Sequence, residues 1–374
     1  MRVLLLYASL GAGHKRAAQA IQEVLQQNSI PVESRDVLDF LPGPMGPFYS
    51  WSYIFMVDRA RWLWSAFYRW MDHPSRPYEP ARSITQRWQF PKLLRYLKEE
   101  NFSHVIATHF TPAALLTDWR KDSELESKIY SMVTDYIAHR CWKRDGLDHY
   151  FVAREEVALQ LGDAGIPLSK ITACGIPVSP AFSEPLSRDE ARARWDCKMD
   201  ESVLLVLTSG LKLAKAEELL ADLKEVKGNV RFLVSAGKDP AREQKIKSFC
   251  SDDPRFTIFG FSPKIPEMMK AADIVMSKPG GLTVSEALAV GLPQILFSPI
   301  PGQEEANAEF SEKNGAAICI EAGRGNFREA VNILLSDPKR LTEMSAAALR
   351  IGKPHAAKHI VNAIVTDSAT LAKI

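Results

Sequence analysis

Short apolar runs alternate along the chain with longer stretches whose apolar positions recur every three or four residues. The first series of runs falls at residues 3–7, 32–36, 104–107, 129–133 and 149–152. A second series follows at 203–207, 230–235, 256–259, 274–276, 294–297 and 316–320. Continuous apolar runs between amphipathic stretches predict parallel strands covered by helices on both faces. The first helix is the plainest, because Ala17, Ala18, Ile21, Val24 and Leu25 share one face at helical spacing directly after the first strand. The two series predict an α/β protein of two doubly wound halves. Between them Gly175-Ile176-Pro177-Val178-Ser179-Pro180 breaks regular structure, and a linker is expected from there to about residue 200.

Length agrees, since 374 residues exceed what one core usually supports. The net charge of +2 gives no reason to expect nucleic acid. The five cysteines, Cys141, Cys174, Cys197, Cys250 and Cys319, are odd in number, widely spaced and without a C-x-x-C pair, so they read as cytosolic thiols. The apolar run at the amino terminus reads as a buried first strand, not a leader: it is short and ends in Gly11-Ala12-Gly13-His14-Lys15 without a cleavage-type site. No apolar stretch is long enough to span a bilayer, so membrane contact is expected to be peripheral.

One segment breaks the rhythm. Between Phe48 and Trp70 lie Trp51, Trp62, Trp64 and Trp70, half of the eight tryptophans, with further aromatic residues and with Arg59, Arg61 and Arg69 among them. Rings with a polar edge suit the headgroup boundary and arginines suit anionic lipid, which makes this a candidate membrane or acceptor-lipid face. A helix buried in its own domain is the alternative.

Candidate chemistry sits where strands turn into helices. Ser9-Leu10-Gly11-Ala12-Gly13-His14 follows the first strand; Gly11 and Gly13 let backbone approach a ligand, and His14 is a candidate proton acceptor. Capping the helix start is the other role open to His14. A nicotinamide fingerprint would want a small residue at position 16, where Arg16 stands, although Glu33 lies at a ribose-binding distance in sequence. The second turn, Ser277 to Ala287, is more specific. Gly280 and Gly281 expose amides at a helix start, and Glu286 lies about one turn inside, in reach of ribose hydroxyls. Gln303 and Glu304, in Pro301-Gly302-Gln303-Glu304-Glu305-Ala306-Asn307, offer donors and acceptors for sugar hydroxyls. Asp135, in Thr134-Asp135-Tyr136-Ile137-Ala138-His139, and His139 are candidates to position an acceptor or to pair internally. His355 and His359 are four apart on an expected terminal helix, but no third ligand accompanies them, and no metal is expected.

The blocks SKPGGLTVSEALAVGLP, PGQEEANA, GAGHKRAAQAI, VTDYIAHRCW and GIPVSPAF together resemble the monogalactosyldiacylglycerol synthase and diacylglycerol glucosyltransferase family, in order from about residue 1 to 335. More distantly the chain resembles the N-acetylglucosaminyltransferase that makes the peptidoglycan lipid intermediate. The resemblance implies a GT-B fold, two Rossmann-like domains facing across a cleft, and inverting, metal-independent hexosyl transfer from a UDP-sugar to a lipid acceptor. UDP-sugar is then a substrate and no cofactor is required. It implies an acceptor and membrane domain over 1–178, a UDP-sugar domain over 179–350, and a terminal helix over 351–374 packing toward the first. By the same resemblance His14 is the family's G-x-G-H histidine. Gly280, Gly281 and Thr283 form the diphosphate turn, Glu286 binds ribose, and Gln303 and Glu304 bind the donor sugar. Phe261 belongs to the loop that reads the uracil edge, and Ser209 and Gly210 to the phosphate loop, which is poorer in glycine here and is followed by Lys212. Ser9 stands where the plant galactolipid enzymes resemble an aspartate, which leaves His14 or Asp135 to deprotonate the acceptor. The expected location is cytoplasmic, at the membrane face, with UDP-hexose, diacylglycerol and the membrane surface as partners. Transfer of N-acetylglucosamine to a polyprenyl-linked acceptor and a non-catalytic nucleotide-sugar or lipid sensor are the alternatives.

Overall fold

The computed structural model describes residues 1–59, 89–122, 124–320 and 326–371. The chain forms two compact units, one of Met1–Pro180, Ile300–Ala306 and His355–Ile374, the other of Ala181–Pro299 and Asn307–Pro354. The segment Ile300–Ala306, expected with the second half, thus falls within the first unit.

The first unit runs β1 (Val3–Tyr7), α1 (Ala12–Gln27), β2 (Val32–Asp36), α2 (Met45–Arg59), α3 (Pro91–Glu100), β3 (His104–Ala107), α4 (Phe110–Lys121), β4 (Lys128–Met132), β5 (His149–Val152), α5 (Glu155–Asp163) and β6 (Ile171–Ala173). Its strands pair in parallel in the order β2-β1-β3-β4-β5-β6. The chain moves from β1 outward to β2, then crosses to the other side of β1 to start β3. The sheet therefore reverses direction between β1 and β3, which is where open α/β sheets bind ligands at their carboxyl ends. Residues 3–6 and 105–107 are fully buried, as strands covered on both faces must be.

The second unit repeats the plan: α6 (Arg188–Arg194), β7 (Ser202–Leu207), α7 (Leu213–Lys224), β8 (Val230–Ser235), α8 (Pro240–Phe249), β9 (Phe256–Phe259), α9 (Ile265–Ala271), β10 (Ile274–Ser277), α10 (Gly281–Ala289), β11 (Gln294–Phe297), α11 (Gln303–Lys313), β12 (Ala317–Ile320), α12 (Phe327–Leu335) and α13 (Pro338–Ile351). The parallel order is β12-β11-β10-β7-β8-β9, so its reversal lies between β7 and β10. The last helix, α14 (Ala356–Leu371), belongs to the first unit, where it packs on α1.

The stretch expected as a linker is more ordered than its prolines indicate. Ser187 opens α6 with a capping box, its hydroxyl accepting from the Glu190 amide while the Glu190 carboxylate accepts from the Ser187 amide. Arg192, only 2% exposed, then donates to the carbonyls of Ala271, Lys198 and Met199 and pairs with Asp273 at 2.7 Å. The ammonium of Lys270 binds the carbonyls of Ala181 and Glu184. These bonds fix residues 181–194 to the second unit.

Candidate active site

At the reversal of the first sheet, Gly11 takes φ +116°, a conformation that a side chain would oppose, and caps α1 without any side-chain hydrogen bond. The first amides of α1 are thus left for a ligand or solvent. His14, in this first turn, reaches across to β3. Its Nδ1 lies 2.7 Å from the Thr108 carbonyl and 3.0 Å from the Thr134 hydroxyl, and the Thr108 hydroxyl donates to the His14 carbonyl at 2.9 Å. His109 stands edge-on to the imidazole at 4.6 Å between centroids. Desolvation lowers the His14 pKa to about 4, with the Thr108 carbonyl acting in the opposite sense, so the ring is neutral near pH 7.

Asp135 directly follows Thr134 at the carboxyl end of β4, half-buried. The other residues expected in this group have structural tasks. The His139 Nδ1 accepts from the Cys141 amide at 3.2 Å and so caps the short helix Arg140–Trp142, while Trp142 is buried in the core against Phe110. Ser9 donates its amide to Asp36 at 3.4 Å, and the same carboxylate caps the turn at Leu38. Glu33 does not stand where a ribose would be read. It is the second residue of β2, far from the strand's carboxyl end, and is engaged by Arg2, Arg35 and Tyr96 at 2.5–2.8 Å. This removes the sequence basis for the nicotinamide alternative.

At the reversal of the second sheet, the loops after β7 and β10 lie side by side. A side chain at Gly210 would come within 2.9 Å of the Lys278 stem, so glycine permits this close approach. Gly280 caps α10 without a side-chain bond; Gly281 is buried, Thr283 is half-buried and Glu286 is 2% exposed. A carboxylate this deep, on the helix that starts at a glycine turn, is costly to hold. Ser209 and Gly210 are exposed in the loop after β7, and Phe261, 66% exposed, has the Lys238 ammonium 4.9 Å from its ring centroid. Lys212 is the exposed cap residue of α7 and supplies no side-chain cap.

Two residues that the sequence did not single out hold these loops. Asn307 on α11 donates to the Pro279 carbonyl at 3.0 Å, fixing the turn before Gly280. Arg242 donates to the Ala236 carbonyl at 2.9 Å and the Thr208 carbonyl at 3.0 Å, tying the loops after β8 and β7 together. One turn before Asn307 on the same helix is Gln303, whose buried amide oxygen has no hydrogen-bond partner among the described residues. Glu304 accepts from the Ile300 amide at 2.7 Å and orders its own loop.

On α2, Phe48, Trp51 and Phe55 are 65%, 59% and 48% exposed and stack in sequence along one face. The expected contributions of Trp62, Trp64 and Trp70 lie outside the described residues. No described helix is long and apolar enough to cross a membrane. Among the described residues no group of three or more His, Cys, Asp or Glu side chains could hold a metal ion, and His355 and His359 are exposed on either side of the start of α14.

The two Rossmann-like units, each with its glycine turn at a reversal of the sheet, define the GT-B class. Solved structures agree in fold: MurG of Acinetobacter baumannii aligns with a TM-score of 0.64 at 17% identity over 98% of this chain and 99% of that one. MnaA of S. aureus with UDP aligns at 0.65 and 12% identity, over 97% and 96%. Residues 14–178 match the monogalactosyldiacylglycerol (MGDG) synthase model, and residues 210–360 match the glycosyltransferase family 28 C-terminal domain. A processive diacylglycerol beta-glucosyltransferase of Bacillus cereus (strain G9842) is 28% identical over 98% of this chain and 94% of its own length. Its counterpart from strain AH187 is likewise 28% identical over the same shares. The chain resembles the monogalactosyldiacylglycerol synthases and diacylglycerol glucosyltransferases along both halves, and it is a glycosyltransferase.

Proposed function

We propose that this enzyme transfers glucose from UDP-glucose to the free hydroxyl of diacylglycerol, with inversion at the anomeric carbon, at a membrane surface. The observation that carries the reading is the glycine turn at Gly280 and Gly281 with Glu286 buried on the helix it starts. Amides at the turn bind the diphosphate, and the carboxylate accepts from the ribose hydroxyls. Ser209 and Gly210 add the facing phosphate loop, the Phe261 loop takes the uracil, and Gln303 and Glu304 hold the sugar hydroxyls. The Gln303 amide oxygen then gains the partner that a buried polar atom needs.

The neutral His14 is the base. As the acceptor oxygen bonds to the anomeric carbon, its proton passes to His14, and the bond to the diphosphate breaks with its electrons on the departing phosphate oxygen. Amides around Gly280, Gly281 and Ser209 stabilise the charge that develops there. One displacement inverts the centre, so an α-linked donor gives a β-glycoside, the linkage named in the Bacillus cereus relatives. Those names favour glucose over galactose, and Ser9 in place of the aspartate of the plant galactolipid enzymes points the same way. Asp135, beside Thr134, orients the acceptor. The exposed face of Phe48, Trp51 and Phe55 rests on the bilayer that supplies the lipid, at the cytoplasmic side where UDP-sugars are available.

The test offers UDP-glucose, UDP-galactose and UDP-N-acetylglucosamine with vesicles containing either diacylglycerol or a polyprenyl diphosphate-linked sugar, and identifies the lipid products by mass. Glucosyl-diacylglycerol is expected. A polyprenyl product would establish the N-acetylglucosaminyl alternative, and donor binding without transfer or hydrolysis would establish the sensor.

A further inference from the structure

Thr108 and Thr134, which the proposed chemistry does not use, stand against the His14 ring. Thr108 is fully buried and held three ways. Its amide donates to the Leu6 carbonyl at 2.9 Å, its hydroxyl donates to the His14 carbonyl at 2.9 Å, and its own carbonyl lies 2.7 Å from His14 Nδ1. A carbonyl can only accept, so the hydrogen of the neutral ring sits on Nδ1. The Thr134 hydroxyl, 3.0 Å from the same nitrogen and 5% exposed, then accepts as well. Nε2 keeps its lone pair. His109 closes one side edge-on, and its own Nδ1 accepts from the Thr111 amide at 3.0 Å, which places the hydrogen of that neutral ring on Nε2.

Resting on the reading of His14 as the base, we infer that Thr108 and Thr134 are positioning residues that hold its imidazole in the Nδ1–H tautomer and keep Nε2 as the proton acceptor for the lipid hydroxyl. The arrangement comes from strand order. β1, β3 and β4 are adjacent, and His14, Thr108 and Thr134 follow them at their carboxyl ends. A threonine carbonyl and hydroxyl thus take the place that a carboxylate has beside the histidine of a hydrolase triad. Neutral partners fix the tautomer as firmly but do not add negative charge. The base stays uncharged until the acceptor oxygen begins to bond, and ionising it unproductively is disfavoured.

The test has two independent readouts on the full chain. Long-range proton–nitrogen NMR of histidine-labelled protein without substrate, with the His14 signals assigned from His14→Gln, is expected to show hydrogen on Nδ1 and a lone pair on Nε2. In the transfer assay, Thr134→Val, which removes the hydroxyl beside Nδ1, is expected to lower kcat about tenfold, the effect of one weakened transition-state contact, with KM for the donor unchanged. Thr134→Ser, which keeps the hydroxyl, is expected to restore kcat, separating positioning from general loss of packing. A wild-type His14 with hydrogen on Nε2, or a folded Thr134→Val variant with wild-type kcat, would overturn the inference. An active His14→Ala enzyme would instead overturn the reading of His14 as the base, whatever tautomer the spectra show.

Discussion

The side-chain amide of Asn307 donates to the backbone carbonyl of Pro279 at 3.0 Å, and both groups are buried. This bond ties the helix that begins at Gln303 to the glycine turn that begins α10. Asn307→Ala would leave the carbonyl without this donor and let the turn relax, at a cost of about 1–2 kcal/mol. UDP affinity measured by calorimetry should fall roughly five- to thirtyfold. Unchanged affinity would show that the turn holds its shape without Asn307.

Glu286→Gln keeps the volume of the side chain but removes the charge that strengthens its hydrogen bonds. KM for the UDP-sugar should rise about ten- to a hundredfold, in line with the worth of a charge-assisted bond. A donor with a 2′,3′-dideoxyribose should bind the variant and the wild type nearly equally, because the groups that the carboxylate reads are gone. Equal sensitivity to the substitution with both donors would assign Glu286 a purely structural task.

The pH response of His14 has a defined sign. Burial holds the folded imidazole at about 4, below its ordinary 6.5, so the neutral, competent form predominates from about pH 5 upward. The acidic limb of kcat/KM should therefore appear as pH falls toward 4, and not near 6.5. The unfolded ring takes up a proton between those two values while the folded ring does not. Its contribution to folding is thus fully present above 6.5 and is lost as pH falls toward 4. An NMR titration of His14 centred near 6.5 would contradict this.

Arg192 and Asp273 are a pair of another kind. The guanidinium is 2% exposed and Asp273 also accepts from Arg188 and from the Val203 amide, so neither charge has a cheap alternative. Arg192→Met should destabilise the second unit by about 3–5 kcal/mol, read from urea unfolding. An unchanged midpoint would mean that packing alone fixes α6.

Replacing Phe48, Trp51 and Phe55 together by Ser should reduce co-sedimentation with anionic vesicles while leaving UDP binding intact. These rings are exposed already, so little core is lost. Retained sedimentation would move the membrane face elsewhere on the chain.

The two sheets and both glycine turns were legible in the sequence because parallel strands covered on both faces leave unbroken apolar runs, and because helix starts that bind anions use glycine. The strand Ile171–Ala173 was missed, being too short to stand out. Helix α6 was hidden by its composition, Arg-Asp-Glu-Ala-Arg-Ala-Arg among prolines, although Ser187 and Glu190 carried a capping signal. Thr108 and Thr134 were out of reach for a different reason. They lie 94 and 120 residues from His14 and meet it only because β3 and β4 are placed next to β1. Asn307 and Arg242 act through backbone carbonyls, which no side-chain motif reveals. His139 shows the converse: an imidazole beside a candidate site, whose ring is used to cap a turn.

Hexosyl transfer to diacylglycerol with His14 as the base is the proposed reaction. The most direct measurement compares wild type and His14→Ala with UDP-glucose and diacylglycerol vesicles, following both glycolipid formation and UDP binding. The expected results are β-glucosyl-diacylglycerol from the wild type, a loss of turnover of about a hundredfold or more in the variant, and unchanged UDP affinity. Wild-type turnover by His14→Ala, or an α-linked product, would contradict that reaction.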